Sequence, residues 1–256
     1  MNSSPPLLSV SHLSLRFGGL HALTDVTLKV PANAVTGVIG PNGAGKTSLF
    51  NCLSGLYVPQ SGSIKLDSVE LVGAKTHALA RLGIGRTFQN ISLFDEMTVL
   101  ENVALGVSSH LRLGLADQLL PTARRKKVEQ DTADAAQHAL EWVGIADLTS
   151  SSVSALNFGT RKRVELARAI AGKPKVILLD EPAGGLNAAE VQLIKTEIRR
   201  IVDELGITVL LIEHHMNLVM DVSSHICVMN FGRKIAEGSP LEVRDDPAVI
   251  AAYLGS

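Results

Sequence analysis

A glycine-rich segment that carries a lysine and a hydroxyl residue has the composition of a phosphate-binding loop. This segment, GPNGAGKT at residues 40–47, has the spacing G-x-x-x-x-G-K-[ST] and follows the apolar run VTGVI. Its glycines let backbone N–H groups surround a phosphate, and Lys46 reaches the β and γ phosphates. Thr47 offers a hydroxyl oxygen to Mg²⁺. The alternative is a glycine-rich turn that only resembles the motif. The residues predicted to bind nucleotide here are Gly40, Pro41, Asn42, Gly43, Ala44, Gly45, Lys46, Thr47 and Ser48.

Two neighbouring acids end a second apolar run, VILLDEP, at residues 176–182. Asp180 suits the ligand shell of Mg²⁺, and Glu181 is placed to orient and deprotonate a water molecule that attacks the terminal phosphate. The alternative is a solvated acidic strand end. The sequence contains no N-K-x-D segment for reading guanine. The acids favour hydrolysis over transfer to a small molecule, so the sequence predicts an enzyme that hydrolyses a nucleotide with the help of Mg²⁺; the resemblance given below identifies that nucleotide as ATP.

Strands and helices alternate around these motifs, which is typical of a parallel α/β sheet. Apolar residues alternate at Leu13, Leu15 and Phe17, a pattern that indicates antiparallel strands. Helical spacing at about residues 110–150 predicts an inserted helical subdomain, which we place at about 90–170. The expected fold class is α/β: a P-loop NTPase core with a mainly parallel sheet, an N-terminal antiparallel β subdomain and an inserted helical subdomain. All of it forms one domain, residues 1–256, with a C-terminal tail at 232–256.

Two capping-box patterns mark helix starts. Thr98 pairs with Glu101 before the helical segment LENVALG, and Ser239 pairs with Glu242 near the end of the sequence. We expect the second of these helices to end before Pro247, since a proline restricts the residue that precedes it.

The composition favours a cytoplasmic protein with a substantial core. The chain has 256 residues, 46% of them hydrophobic, and a formal net charge of −1. This balance argues against binding polyanions by bulk charge, so no nucleic-acid partner is expected. No apolar run approaches the roughly 20 residues of a membrane span, and the first residues lack the pattern of a signal peptide. Cys52 and Cys227 have neither disulfide nor zinc spacing, and both are expected in the core.

Together with three further segments, these motifs resemble the ATP-hydrolysing subunits of ATP-binding-cassette transporters, over nearly the whole chain. RTFQN puts Gln89 at the family's glutamine loop, LNFGT lies where the signature belongs, and LIEHH puts His214 at the switch histidine. Phe17 in LRFGGLHAL lies where the family places an aromatic ring against adenine. The alternative for Phe17 is packing in the core, and the alternative for His214 is a purely structural role. The resemblance implies catalytic roles for Lys46, Gln89, Glu181 and His214, and a Mg²⁺ shell of Thr47, Gln89 and Asp180.

The signature differs from the usual L-S-G-G-Q of the family. It consists of Leu156, Asn157, Phe158, Gly159 and Thr160. In the family this turn points at ATP held by the opposite subunit, so the resemblance implies a head-to-tail pair of cassettes, as a homodimer or a heterodimer. Asn157 retains an amide for hydrogen bonding, and we expect a working but altered turn. Asn187 stands where the family usually has aspartate, which predicts weaker communication between the two sites.

Longer stretches are similar to the ATPases of branched-chain amino-acid importers. These are FGGLHAL, GIGRTFQNISLFDEMTVLENVALG and IAEGSPLEVRDDPAVIAAYLG. The resemblance implies a second ATPase subunit, two membrane permeases and, indirectly, a periplasmic binding protein, with this chain held on the cytoplasmic side of the cell membrane. Phe94 and Met97 are candidates for permease contact, or for packing inside the helical subdomain. The alternative functions are an exporter of lipid or lipopolysaccharide and a soluble cassette that acts on DNA or ribosomes.

Overall fold

The chain is divided into a nucleotide-motif unit and a helical unit. The computed structural model describes residues 6–87, 91–108 and 122–254. The first unit comprises Met1–Arg86 and Lys175–Ser256, and the second is Thr87–Pro174. Gln89 lies outside the described residues. The predicted phosphate-loop, acidic and histidine motifs are therefore in the first unit, and the signature is in the second.

The secondary structure follows the chain in this order. The strands are β1 Leu8–Phe17, β2 Leu20–Val30, β3 Val35–Ile39, β4 Ser61–Leu66, β5 Val69–Glu70, β6 Ile84–Arg86, β7 Val176–Asp180, β8 Thr208–Ile212, β9 His225–Asn230 and β10 Arg233–Gly238. The helices are α1 Lys46–Leu53, α2 Thr76–Leu82, α3 Val99–Ser108, α4 Ala123–Trp142, α5 Phe158–Ala171, α6 Ala188–Leu205, α7 Met216–Val222, α8 Pro240–Arg244 and α9 Pro247–Leu254. Within the described ranges, no helix combines the length and apolar character that a bilayer span requires.

An antiparallel sheet forms the N-terminal part of the first unit. Its strand order is β2-β1-β4-β5, and every neighbouring pair in it is antiparallel. Apolar side chains of the two long strands meet on the buried face, with Val10 opposite Leu28 and Leu15 opposite Leu23. The predicted antiparallel β subdomain is confirmed.

A six-stranded sheet carries the chemical motifs. Its order is β10-β9-β3-β8-β7-β6, and only β9 and β10 pair antiparallel. Every residue of β3, β7 and β8 is buried, as expected for central strands of a parallel sheet covered on both faces. These three strands are neighbours, so the segments that follow their carboxyl ends lie at the same edge of the sheet. The predicted mainly parallel sheet is confirmed, and it brings separate motifs together.

One hydrophobic core joins the two sheets of the first unit. The helix α1 contributes Leu49, Phe50 and Leu53, none of which is exposed to solvent. They belong to the same buried cluster as residues of β1, β2, β7 and β9, such as Leu13 and Leu178. Burial of this apolar surface stabilises the unit and fixes α1, whose first turn carries Lys46 and Thr47.

The helical unit is built around three helices, α3, α4 and α5, which pack against one another. Their inward residues include Val103, Leu140 and Val164, all almost fully buried. The predicted capping box at the start of α3 is confirmed. The Glu101 N–H donates to Thr98 Oγ1 over 3.2 Å, and the Thr98 N–H donates to Glu101 Oε2 over 2.8 Å.

The second predicted capping box starts α8. Ser239 Oγ accepts a hydrogen bond from the Glu242 N–H, and Glu242 Oε2 accepts one from the Ser239 N–H over 2.7 Å. The helix ends at Arg244, before Pro247, as predicted. Pro247 then begins α9, a position where its missing N–H costs no helical hydrogen bond.

Candidate nucleotide-binding site

The phosphate loop joins β3 to α1, and the surrounding backbone requires its glycines. Gly40 has φ +149°, and a Cβ atom there would lie 2.0 Å from the Met229 carbonyl oxygen. Gly45 has φ +98°, and its Cβ would lie 2.6 Å from the Ala22 carbonyl oxygen. Side chains at these positions are therefore excluded. The backbone between β3 and α1 has no room for a side chain at these two positions. This geometry favours a phosphate loop over a glycine-rich turn that only resembles the motif.

Lys46 is held across the loop. Its side chain is buried, and Nζ donates to the Gly40 carbonyl oxygen over 2.6 Å and to the Pro41 carbonyl oxygen over 3.0 Å. Burial is the main influence on its pKa and lowers it, while the charges of Glu181 and Asp180 act in the opposite direction. The amino group therefore lies inside the loop, where the negative charges of both acids act on it. Of the other predicted loop residues, Asn42, Gly43 and Thr47 are exposed, Pro41 and Ser48 are half-buried, and Ala44 is buried.

The two acids after β7 have different environments. The Asp180 side chain is 1% exposed, and Oδ2 accepts a hydrogen bond from Arg86 Nη2 over 3.1 Å. Glu181 has the unusual φ of +50°, and its N–H donates to the Ile212 carbonyl oxygen over 2.9 Å. Its Oε1 lies 2.7 Å from Nε2 of His214. The structure therefore brings together two residues from separate motifs that were assigned to hydrolysis.

Glu213 organises the segment that carries His214. Its carboxylate is buried and accepts hydrogen bonds from the backbone N–H groups of Ala183, His214 and His215 over 2.7, 2.8 and 3.1 Å. It thus connects the loop after Glu181 with the loop after β8. Sequence analysis gave Glu213 no role. The available signal was an acid placed directly after the apolar run VLLI of strand β8.

Phe17 lies on the surface of the first unit. It is 45% exposed, so the alternative of a core phenylalanine is wrong. Its ring meets that of Tyr57 edge to face, with centroids 5.1 Å apart and an angle of 76° between the planes. An exposed, oriented aromatic ring is suited to stacking on a nucleotide base.

The oxygen donors of this unit fit Mg²⁺. Thr47 supplies a hydroxyl in the first turn of α1, and Asp180 supplies a carboxylate at the end of β7. Mg²⁺ usually takes one or two protein ligands and completes its shell with water and substrate phosphates. Within the described ranges, no group of three His, Cys, Asp or Glu side chains gathers into a cage for a metal ion. That donor set suits a metal held jointly with a nucleotide.

The signature residues start helix α5 in the helical unit. Asn157 is the N-cap, and its Oδ1 accepts a hydrogen bond from the Thr160 N–H over 2.9 Å. Leu156 precedes the cap, and Gly159 lies in the first turn. Phe158 is 48% exposed, and Lys162 Nζ lies 5.7 Å from its ring centroid. Asn157 therefore uses its oxygen to cap its own helix. Contact of this turn with a second chain's ATP stays a prediction.

Two further residues touch predicted site residues and were missed by the sequence analysis. Arg86 binds Asp180, as described above. Tyr253, in α9, accepts a hydrogen bond from the backbone N–H of Gly40. Burial raises the pKa of its phenol, and this hydrogen bond acts in the opposite direction with a smaller effect. Tyr253 belongs to none of the quoted motifs, and Arg86 begins the segment RTFQN, in which only Gln89 was given a role. The only sequence signal was the position of Arg86 directly before TFQN.

Known proteins resemble the chain over almost its full length. The profile of the ABC transporter family matches residues 23–184, and that of the branched-chain amino acid ATP-binding cassette transporters matches residues 233–256. The high-affinity branched-chain amino acid transport ATP-binding protein BraF of Pseudomonas aeruginosa is 45% identical over 98% of this chain and 99% of its own. LivG of Escherichia coli, described in the same words, is 42% identical over the same shares. A crystal structure of an ABC transporter cassette in its ADP conformation superimposes with a TM-score of 0.85 and 31% identity, covering 99% of this chain and 100% of that one.

Proposed function

The chain belongs to the ABC transporter family, and from this membership we propose that it is the ATP-hydrolysing subunit of an importer for branched-chain or related amino acids. The observation that carries the proposal is the near-complete alignment with BraF and LivG, whose names describe high-affinity branched-chain amino acid transport. The C-terminal match at residues 233–256 supports the same cargo.

The geometry supports a specific division of labour in hydrolysis. Lys46, whose amino group is held inside the phosphate loop, binds the β and γ phosphates of ATP. Glu181 accepts a proton from the water whose oxygen attacks the γ phosphorus, and His214, 2.7 Å away, holds that carboxylate and the phosphate in place. The bond to the ADP oxygen then breaks. Bound Mg²⁺ supplies positive charge that offsets the charge on the transferring phosphoryl group.

Assembly with other subunits completes the proposed transporter. A second cassette, identical or different, presents its signature to ATP bound here, and Leu156–Thr160 of this chain do the same for the partner. Two permeases in the membrane bind the pair on the cytoplasmic side, and a periplasmic binding protein delivers the amino acid to them. Phe94, 56% exposed, is available for such a contact in the helical unit.

Replacement of LivG in Escherichia coli tests the cargo. A strain that lacks LivG but retains the other importer subunits is given this chain, and uptake of radiolabelled leucine is measured. We expect uptake to be restored by the wild type and abolished by Glu181→Gln, because the amide cannot take the water proton.

The purified wild type and its Glu181→Gln variant, assembled with the permeases, separate the two parts of the proposal. We expect the substitution to lower ATP hydrolysis by about 10²-fold or more while ATP still binds. Equal hydrolysis rates would remove Glu181 as the base. If the assembled subunits hydrolysed ATP at the normal rate but took up no leucine, the proposed ATPase activity would stand and the proposed amino-acid cargo would be refuted.

A further inference from the structure

Arg86 is a buried cation that connects two elements of the nucleotide site. Its Nη1 lies 2.9 Å from Asn51 Oδ1, 2.5 Å from Ser54 Oγ and 3.3 Å from the Phe50 carbonyl oxygen. These three acceptors are in the last turn of α1 and its C-cap. Its Nη2 donates to Asp180 Oδ2 over 3.1 Å. One planar guanidinium therefore joins the C-terminal end of the phosphate-loop helix to the acid at the end of β7.

The environment of this guanidinium makes the connection rigid. The Arg86 side chain is 8% exposed and that of Asp180 is 1% exposed, so water screens the pair little. Arg86 also lies over the ring of Phe50, with Cζ 6.0 Å from the centroid. The C-terminal end of a helix carries partial negative charge, which favours a cation there. Charge, planar geometry and packing all fix Arg86 in one arrangement.

The two elements that Arg86 joins carry the two described candidates for Mg²⁺ coordination. Thr47 lies in the first turn of α1, whose other end is bound by Arg86, and Asp180 is bound directly. The helix α1 has eight residues and is about 12 Å long, and it bends little over that length because helices curve gently, with radii of about 60–100 Å. We propose that Arg86 is a positioning residue that sets the spacing between the Thr47 hydroxyl and the Asp180 carboxylate for Mg²⁺. This inference rests on the proposed function.

The alternative for Arg86 is a purely structural ion pair that holds the edge strand β6 to the sheet. That alternative and the proposal differ in metal binding, because only a positioning role links the α1 acceptors to metal affinity. Replacement of a residue that is hydrogen-bonded to a metal ligand commonly changes the affinity for the metal by about 10–100-fold.

Metal affinity is measured with Mn²⁺ as a probe, by electron paramagnetic resonance of the free ion in the presence of ADP. We expect Arg86→Met to raise the Mn²⁺ Kd by about 10–100-fold. Arg86→Lys should also raise it, because an ammonium cannot span both sets of acceptors as a planar fork does. The Kd of ADP in EDTA should change less than about two-fold, since Lys46 and the phosphate loop bind the nucleotide without metal.

Two further variants keep the test independent of folding damage. Asn51→Ala with Ser54→Ala removes side-chain acceptors at the end of α1 but retains the Arg86–Asp180 pair. We expect this variant to weaken Mn²⁺ binding as well, whereas a purely structural ion pair predicts no change. Arg168→Met removes another largely buried arginine, which is 14% exposed and lies in the helical unit, and should leave Mn²⁺ affinity unaltered.

The possible outcomes separate the inference from the proposed function. Unchanged Mn²⁺ affinity in both Arg86 variants, or in the α1 double variant, would overturn the positioning role, even if the wild type binds and hydrolyses ATP. Failure of the wild type to bind ADP or to hydrolyse ATP would overturn the proposed function, and the inference with it. Thermal unfolding of each variant identifies any that does not fold, and the α1 double variant then decides.

Discussion

At the scale of single residues, Glu213 is the clearest example of a side chain that shapes the site without belonging to a motif. Its buried carboxylate accepts hydrogen bonds from N–H groups of both loops that carry the residues proposed for hydrolysis. We expect Glu213→Gln to reduce stability by about 1–3 kcal/mol, because its amide NH₂ would face backbone donors. The kcat for ATP should also fall, since the substitution disturbs the segment that places His214 against Glu181.

Urea unfolding and steady-state hydrolysis measure the two effects of Glu213→Gln. Glu204→Gln on the exposed side of α6 is the matched control, and its stability should change by less than about 0.5 kcal/mol. If Glu213→Gln lost stability but kept the wild-type kcat, the carboxylate would support the fold only, with no effect on the hydrolytic geometry.

The distance along the chain between interacting residues decided which of them were predictable. The phosphate loop and the pair Asp180–Glu181 were found because their chemistry requires contiguous residues next to a strand end. Ala183, which donates to Glu213 from the other loop, is 30 positions away from it, and Asp180 is 94 positions away from Arg86. Local patterns contain no information on such pairs, since they arise only when β8, β7 and β6 become neighbours.

At the scale of elements, the asparagines of the signature and of the loop after Glu181 have a shared role as helix caps. Asn187 Oδ1 accepts hydrogen bonds from the N–H groups of Ala189 and Glu190, each with a length of 3.0 Å, and completes a capping box. Aspartate caps a helix about as well as asparagine. The difference from the usual family aspartate therefore leaves the start of α6 intact.

Substitution of Asn187 tests this role. We expect Asn187→Ala to lower the free energy of unfolding by about 1 kcal/mol and Asn187→Asp to leave it nearly unchanged. Chemical denaturation monitored by circular dichroism provides the measurement. A large loss with Asn187→Asp would indicate that the amide NH₂, and not the capping oxygen, is the group that matters.

The N-terminal strands show where alternation predicts an element but not its details. Leu8 and Val10 are buried, as are Leu13 and Leu15, so the inward phase changes between Val10 and Leu13. The pairing with β2 is irregular there, and His12 has φ +51°. An irregularity of this kind inserts a residue and reverses the alternation. The alternation of apolar residues in the sequence predicts the strand, but it does not reveal the irregularity between Val10 and Leu13 that changes which residues face inward.

At the scale of the whole molecule, the reactivity of the two cysteines measures the unfolding of the nucleotide-motif unit, because both cysteines lie in that unit. Both are buried there, as predicted, and burial raises the pKa of Cys52 to about 11 and that of Cys227 to about 12. The reactive thiolate is therefore scarce and inaccessible at about pH 8. We expect a thiol reagent to label neither cysteine in the native chain within minutes, and both once urea unfolds the protein.

Bound nucleotide should slow this labelling further. A ligand that binds only the native state at about 100 times its Kd stabilises it by about 2.7 kcal/mol, so labelling that requires unfolding of the unit should slow about 100-fold with Mg²⁺ and ADP. The Lys46→Ala variant is the control, because weaker phosphate binding should remove most of the protection. If nucleotide protected neither thiol in the wild type, Cys52 and Cys227 would react through local openings that leave the phosphate loop folded. The core described around α1 would then not behave as one cooperative unit with the site that it supports.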